Sequence, residues 1–423
     1  MRRIFGLSFG FGVHYLSKRG LLYEHQSGIR GSYSTETCLV GLSDFIKGEM
    51  GQGNLIGLVL LDLQKAFDTV DHGILLEKLG SMGVASVSWF GSYLTGRSQC
   101  VEVDGSRSSF LDITCGVPQG SILGPLLFLV YINDMHLSIQ CRLALYADDS
   151  ALVFSHSDPA VISDRLSSEL SLCRNWLINN KLSLHMGKTE CILFGTAHRL
   201  KRVQGFQIMC AGTVIEPVST VKYLGVVLDR HFKFSDYANI VIRKCAGRIG
   251  FLYRHSASLD FNCRRILCNS LIQPYLDYCC TAWYSSLTAD LRRKLDVIQR
   301  RMVRFVLSRD RLSHVDSTDL KYLSWLSIPD RVKFFKLSQV FKIRIGMAPN
   351  YLSSGFLPLS NSHGHDTRRK LFNYRISKQL ADSPSSFAYT AIRLWNELPQ
   401  SLQGIASLET FKARLRKHLV STY

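Results

Sequence analysis

Apolar positions fall into short runs in the first half of the chain and into helical spacing from about residue 235 on. The run IGLVLLDL (56–63) is almost wholly apolar and ends in an acid, which predicts a strand buried on both faces. GVPQG (116–120) reads as a loop. SILGPLLFLVYINDM (121–135) reads as a helix that Ser121 caps, with Pro125 in its first turn. Residues 141–154 predict strand, tight turn, strand. In 160–181, Val161, Leu166, Leu170, Cys173 and Leu177 recur at intervals of three to five, which predicts an amphipathic helix. KTECILFG (188–195) and YLGVVLD (223–229) read as further strands.

In 287–309, Leu291, Leu295, Ile298, Met302 and Phe305 make one helical stripe, and Arg292, Arg293, Lys294, Arg300, Arg301 and Arg304 fill other positions. Residues 346–370 read as a loop or linker in which His363 and His365 lie, and 386–419 as helix again. Trp283, Trp325 and Trp395 are expected in the core.

Composition sharpens this division. The 423 residues suggest two to three domains, and 46% apolar content excludes a disordered chain. The net charge of +18 is uneven: residues 1–230 carry 20 basic and 20 acidic side chains, so the whole excess lies in 231–423. A neutral half followed by a basic half suggests a polyanionic partner, nucleic acid by default; the plain alternative is a solvated basic face. The 12 cysteines contain no CxxC and read as reduced core thiols of an intracellular, unsecreted protein. The longest apolar stretch, 122–132, falls short of the ~18–20 residues of a membrane span, and no membrane partner is expected.

The chemistry-bearing residues are acids. Asp148 and Asp149 sit side by side in LALYADDSALVF (143–154), which alone is no more than a polar hairpin turn. Asp62 ends the apolar strand at 56–63. If that strand lies beside the hairpin, Asp62 and Asp148 converge. Clustered carboxylates repel unless a cation neutralises them, and hard oxygen donors suit Mg²⁺, with Mn²⁺ as a substitute. Two such ions about 4 Å apart support in-line phosphoryl transfer.

The order of the pieces resembles a family. LVLLDLQKAFDTVDH (58–72), GVPQGSILGPLLF (116–128), YADD (146–149), KTE (188–190) and YLGVVLD (223–229) resemble successive palm motifs of reverse transcriptases. HQSGIRGSYSTETCL (25–39) is similar to a signature of non-LTR, LINE-like retrotransposon polymerases, and LIQPYLDYCCTAW, LDVIQRRMVRFV and SFAYTAIRLWNELPQSL resemble the tail of Jockey-like and chicken-repeat-like elements. The resemblance implies an α+β right-hand polymerase fold. Partial fingers would occupy 1–54, the palm 55–230, a helical thumb-like region 231–310 and a basic helical region 311–423. It implies RNA-directed DNA polymerase activity with two Mg²⁺, an RNA template, a DNA primer and dNTPs, in a nuclear or cytoplasmic ribonucleoprotein.

Carried over by motif, Asp62, Asp148, Asp149 and the Leu63 carbonyl would hold the metals. Phe67 would lie under the incoming sugar and exclude a ribose hydroxyl, which argues against an RNA polymerase. Gly116, Gln119 and Gly120 would meet the template base pair, and Arg30 the triphosphate. Lys188 would serve the leaving pyrophosphate. Tyr223, Leu224 and Gly225 would form a primer-grip turn. Arg292, Arg293, Arg300, Arg301 and Arg304 would grip backbone phosphates. Asp68 and Asp71 are expected to be structural. Three departures stand out: no endonuclease precedes the polymerase motifs, MRRIFGLSFGFG replaces the usual opening of the fingers, and His185 stands near an expected Asn. They suggest an N-terminally truncated copy, with a remnant that only binds nucleic acid as the alternative.

Overall fold

The computed structural model of the chain describes residues 15–359 and 372–421. They form two compact units. The first takes residues up to Cys38, Leu55–Leu193 and Arg202–Val218; the second takes Leu39–Asn54, Phe194–Lys201 and the chain from Ser219 on. Helix α1 (Thr35–Gly51) begins in the first and continues in the second. The fold is α+β, with a helical C-terminal region, as expected.

The first unit is built on a four-stranded sheet of β1 (Leu55–Leu61), β2 (Arg142–Tyr146), β3 (Asp149–His156) and β4 (Glu190–Phe194), in the order β2-β3-β1-β4. β1 is buried along its length, which is why its sequence does not alternate. It runs antiparallel to β3, from Leu55 opposite His156 to Leu61 opposite Ser150. Three helices of this unit are α2 (His72–Ser81), α3 (Gly124–Ile132) and α4 (Pro159–Asn179). A Cβ on Gly57 of β1 would lie 2.5 Å from Ile162 and from Leu166, so glycine lets α4 close on the sheet. Asp158 caps α4 and Pro159 opens it.

Two local expectations change. Val161 is exposed, and Ile162 joins Leu166, Leu170, Cys173 and Leu177 on the buried face of α4, because a five-residue step from 161 to 166 overshoots the helical turn. The helix after GVPQG starts at Gly124, three residues late: the Ser121 hydroxyl accepts from the Gly124 N–H, closing a turn ahead of α3 rather than capping a helix from 121. Pro125 does sit in its first turn. α3 is apolar all round because it is buried all round. No helix among the described residues is long and apolar enough to cross a membrane.

The second unit is mainly helical. YLGVVLD is not one strand: β5 (Thr220–Tyr223) turns at Leu224-Gly225 into antiparallel β6 (Val226–Asp229), since both turn residues have positive φ. Then come α5 (Ser235–Arg254), α6 (Phe261–Leu271), α7 (Ala289–Val306) and α8 (Ile328–Arg344). The stripe Leu291, Leu295, Ile298, Met302 and Phe305 is the buried face of α7. The single helix expected over 386–419 divides into α9 (Phe387–Asn396), a turn at Gln400–Gln403 and α10 (Leu408–Ser421); Pro399 cannot donate to the preceding turn and so marks the break. Trp283, Trp325 and Trp395 are core residues, and nine of the twelve cysteines are buried and none is bridged. His363 and His365 lie outside the described residues.

This core also holds charge. Asp44 accepts from the Phe387 and Ala388 N–H groups at the start of α9. Lys47 donates to the Ala282 and Ser385 carbonyls, and Lys336 to the hydroxyls of Ser285 and Thr390. Burial lowers Lys47 to about 8 and Lys336 to about 7, and raises Asp44.

Candidate active site at the carboxylate hairpin

The β2–β3 connection is a two-residue turn of Ala147 and Asp148, closed by Tyr146 opposite Asp149. Ala147 has φ +55°, a left-handed conformation that costs an L-residue about 1–2 kcal/mol. What holds it there is the segment at residues 25–28. Gln26 is fully buried, and its side-chain oxygen accepts from the Ala147 N–H (3.0 Å) and the Gly28 N–H (2.9 Å). Ser27 donates to the Leu145 carbonyl and Leu145 to that of His25, so this segment pairs with the outer edge of β2. A Cβ on Gly28 would sit 2.3 Å from the Ala147 nitrogen. Gln26 and Gly28 are the positioning residues that motif reasoning missed; the signal was the QSG tripeptide, already noted but given no role.

β1 delivers Asp62 to the same place. One step past Leu61–Ser150, the ladder sets Asp62 level with Asp149. The strand therefore does lie beside the hairpin: Asp62 and Asp149 each stand one residue past the last ladder pair, and Asp148 is in the adjoining turn. Asp149 feels the crowding: desolvation, then the charges of Asp148 and Asp62, raise its carboxyl above the ordinary range although its side chain reaches solvent. The chain past β1 pairs with residues 183–185: His185 donates to the Asp62 carbonyl and Gln64 to that of Ser183. That alternation turns the Leu63 carbonyl away from 183–185. Lys188, exposed, places its ammonium 3.7 Å from an Asp62 oxygen. Among the described residues, no three His, Cys, Asp or Glu side chains already converge as a ligand set. The donor chemistry of Asp62, Asp148, Asp149 and the Leu63 carbonyl nevertheless fits hard divalent cations: all are oxygens, the acids repel one another, and among the described residues Lys188 alone is ion-paired with them.

The loop after β1 packs against GVPQG. Gly116 donates to the Val70 carbonyl and Val117 to that of Phe67. Gly116 has φ +87°, and a Cβ there would lie 2.6 Å from the Asp68 carbonyl oxygen, so the close approach it permits is to this loop. Gly120 also has positive φ but faces open space. Gln119 donates to Asp68 (2.7 Å). Phe67 is half-buried and stacks on Phe128 at 4.4 Å. Asp71 caps α2 and pairs with Lys181 at 2.6 Å, which lowers its pKa, as a structural acid should. Arg30 donates to the Tyr23 and Gln26 carbonyls and lies over the Tyr33 ring, so much of its bonding capacity serves its own loop.

In the second unit, Tyr223 is buried, and the Tyr278 hydroxyl donates to the Leu224 carbonyl (2.8 Å), fixing the Leu224-Gly225 turn. The arginines of α7 are not one face. Arg292 donates to the Ser285 carbonyl, Arg293 pairs with Asp290, Arg304 donates to the Ser313 carbonyl, and Arg300 is exposed.

A family model for reverse transcriptase (RNA-dependent DNA polymerase) matches residues 15–228, just over half of the chain and the whole of the carboxylate site. The chain belongs to the reverse transcriptase family. Similar relatives include the probable RNA-directed DNA polymerase from transposon BS of Drosophila melanogaster, 26% identical over 69% of this chain and 33% of that protein. Another is the RNA-directed DNA polymerase from mobile element jockey of Drosophila funebris, 28% identical over 66% of this chain and 31% of the relative. The chain thus spans about a third of the length of these curated relatives. Among solved structures, apo telomerase from Candida tropicalis aligns at TM-score 0.43 and 10% identity, over 78% of this chain and 54% of that one.

Proposed function

We propose that this chain catalyses RNA-templated addition of deoxynucleotides to a primer 3′-hydroxyl, within a longer retroelement protein. The observation that carries the reading is the register that sets Asp62 level with Asp149, next to the strained Ala147-Asp148 turn, inside the family match. Asp62, Asp148, Asp149 and the Leu63 carbonyl would hold divalent cations, Mg²⁺ foremost. Bound there, such ions supply activation of a hydroxyl and neutralisation of phosphate charge.

The remaining roles fall to the chain's own residues. Lys188, mobile enough at the surface to leave Asp62, would donate to the departing pyrophosphate. Phe67, its ring backed by Phe128, would close the space a ribose 2′-hydroxyl needs. Gln119 and Gly120 would border the template base pair, and Leu224-Gly225 would support the primer. The part-neutral, part-basic division of the chain agrees with fingers in 1–54, palm in 55–230 and nucleic-acid-gripping helices beyond.

Primer extension tests the reading. Purified chain should incorporate dNTPs on an RNA template with a DNA primer, and Asp148→Ala should abolish incorporation. No incorporation under any divalent cation would leave only a nucleic-acid-binding remnant.

A further inference from the structure

In the second unit, α5, α7 and the loop after α7 enclose a cavity of about 550 Å³ lined by Tyr253, Arg254, Arg301, Arg304 and Arg311. Four guanidinium groups border it, and among the described residues no carboxylate is ion-paired with any of them. Elsewhere in this unit the arginines that have a carboxylate partner, such as Arg309 with Asp319 and Arg331 with Asp277, are held at hydrogen-bonding distance. Two of the cavity arginines make other contacts, and Tyr253 ties α5 to the backbone of α7. Arg304 donates to the Ser313 carbonyl, the Tyr253 hydroxyl donates to the Arg301 carbonyl, and Arg311 lies 5.9 Å over the Tyr253 ring. Gathering four like charges around one hollow costs energy that a bound polyanion would offset. Next in sequence to Gly250 of the lining, Phe251 is 51% exposed although it lies within a long helix; Arg254 lies 5.8 Å over its ring, and His255 packs against it at 4.6 Å. An exposed aromatic ring beside guanidinium groups is the pairing that stacks a nucleobase next to its phosphate.

We propose that this cavity binds the sugar–phosphate backbone of a single nucleic-acid strand, with Phe251 stacking on a base. Two or three adjacent phosphates would neutralise most of the charge of the four arginines, and the volume suits a nucleotide unit. The site lies beyond the residues matched by the polymerase family model, and it separates Arg301 and Arg304 from Arg292, Arg293 and Arg300 on the same helix. The choice of nucleic acid over another polyanion rests on the polymerase reading. An anionic membrane fits less well, because the charges line a hollow rather than a flat face and Phe251 and Val297 are little apolar surface to insert.

Binding of a fluorescein-labelled single-stranded RNA of about 20 nucleotides to the full chain, by polarisation across a KCl series, tests it. Arg301→Ala/Arg311→Ala should raise Kd about tenfold or more and flatten the slope of log affinity against log salt by about 1–2. Phe251→Ala should weaken binding severalfold with the slope unchanged. Arg414→Ala/Lys417→Ala, which removes equal charge from exposed positions on α10, should do neither. Melting curves followed by circular dichroism confirm that each variant is folded. Equal affinity and slope for the cavity variant and wild type would overturn the proposal. So would competition by inorganic tripolyphosphate as strong per phosphate as by RNA, or a loss confined to phosphatidylserine vesicles. Cavity-dependent RNA binding without primer extension would keep this site and remove the polymerase reading.

Discussion

Asp62 and Asp149 each stand one residue beyond the last β1–β3 ladder pair, and desolvation, then the charges of Asp148 and Asp62, raise the Asp149 pKa. Two carboxylates in that position are a liability for an apo protein and an asset once cations arrive. Asp62→Asn or Asp149→Asn should therefore lower primer extension by at least about 10²-fold while leaving the melting temperature unchanged or higher. The pH response follows from the sign of the shift. Asp149 must be ionised to accept a cation, and its pKa is raised, so extension should fall on acidification sooner than an ordinary carboxylate would cause. Rate measured against pH at sub-saturating Mg²⁺ checks this, and chelation should abolish the rate until Mg²⁺ or Mn²⁺ is restored.

Gln26 should matter nearly as much without touching substrate. Gln26→Ala strips the acceptor from the buried Ala147 N–H, a loss of about 1–3 kcal/mol concentrated on the turn. Gly28→Ala drives a methyl group into the Ala147 backbone. Both should depress kcat more than the KM for template-primer. Gln26→Glu, which keeps an acceptor oxygen, should retain more activity than Gln26→Ala. Steady-state kinetics of the three variants separate these outcomes.

Phe67→Ala should raise incorporation of rNTPs relative to dNTPs by about 10–100-fold if, as proposed, its ring closes the space next to the sugar. Parallel extension assays with the two nucleotide sets read the ratio directly. An unchanged ratio would assign Phe67 to packing against Phe128 alone.

Lys336 makes stability depend on pH. Its folded pKa is about 7, below the 10.5 of an exposed lysine. Between those values the unfolded chain binds the extra proton, so stability should rise as pH increases from about 7 toward 10. Lys47, at about 8, adds to the upper part of that window. Thermal melts at pH 7, 8 and 9 should show a rising midpoint that Lys336→Met flattens.

Tyr278→Phe removes the donor that fixes the Leu224 carbonyl. It should weaken primer binding severalfold and leave the KM for dNTP nearly unchanged, measured by titrating primer-template at saturating dNTP.

Much of this was legible in the chain itself. An unbroken apolar run such as Leu55–Leu61 has one stable use, a strand covered on both faces, and YADD between two apolar runs has one local use, a hairpin. The heptad-like stripe of α7 is likewise a local property, since helical periodicity determines which side chains share a face. The ends of these elements made Asp62, Asp148 and Asp149 candidate ligands, and the order of the motifs gave them their expected role. The tertiary structure decided the rest, because it depends on contacts between residues far apart in sequence. Only the β1–β3 register shows that the end of the Asp62 strand lies beside the turn that carries Asp148 and Asp149. Only long-range packing shows that a buried glutamine 121 residues away holds the turn in its strained form. The same holds for the basic helix: spacing told where its arginines point, but the neighbouring α5 and the loop at Arg311 decided which of them share a cavity.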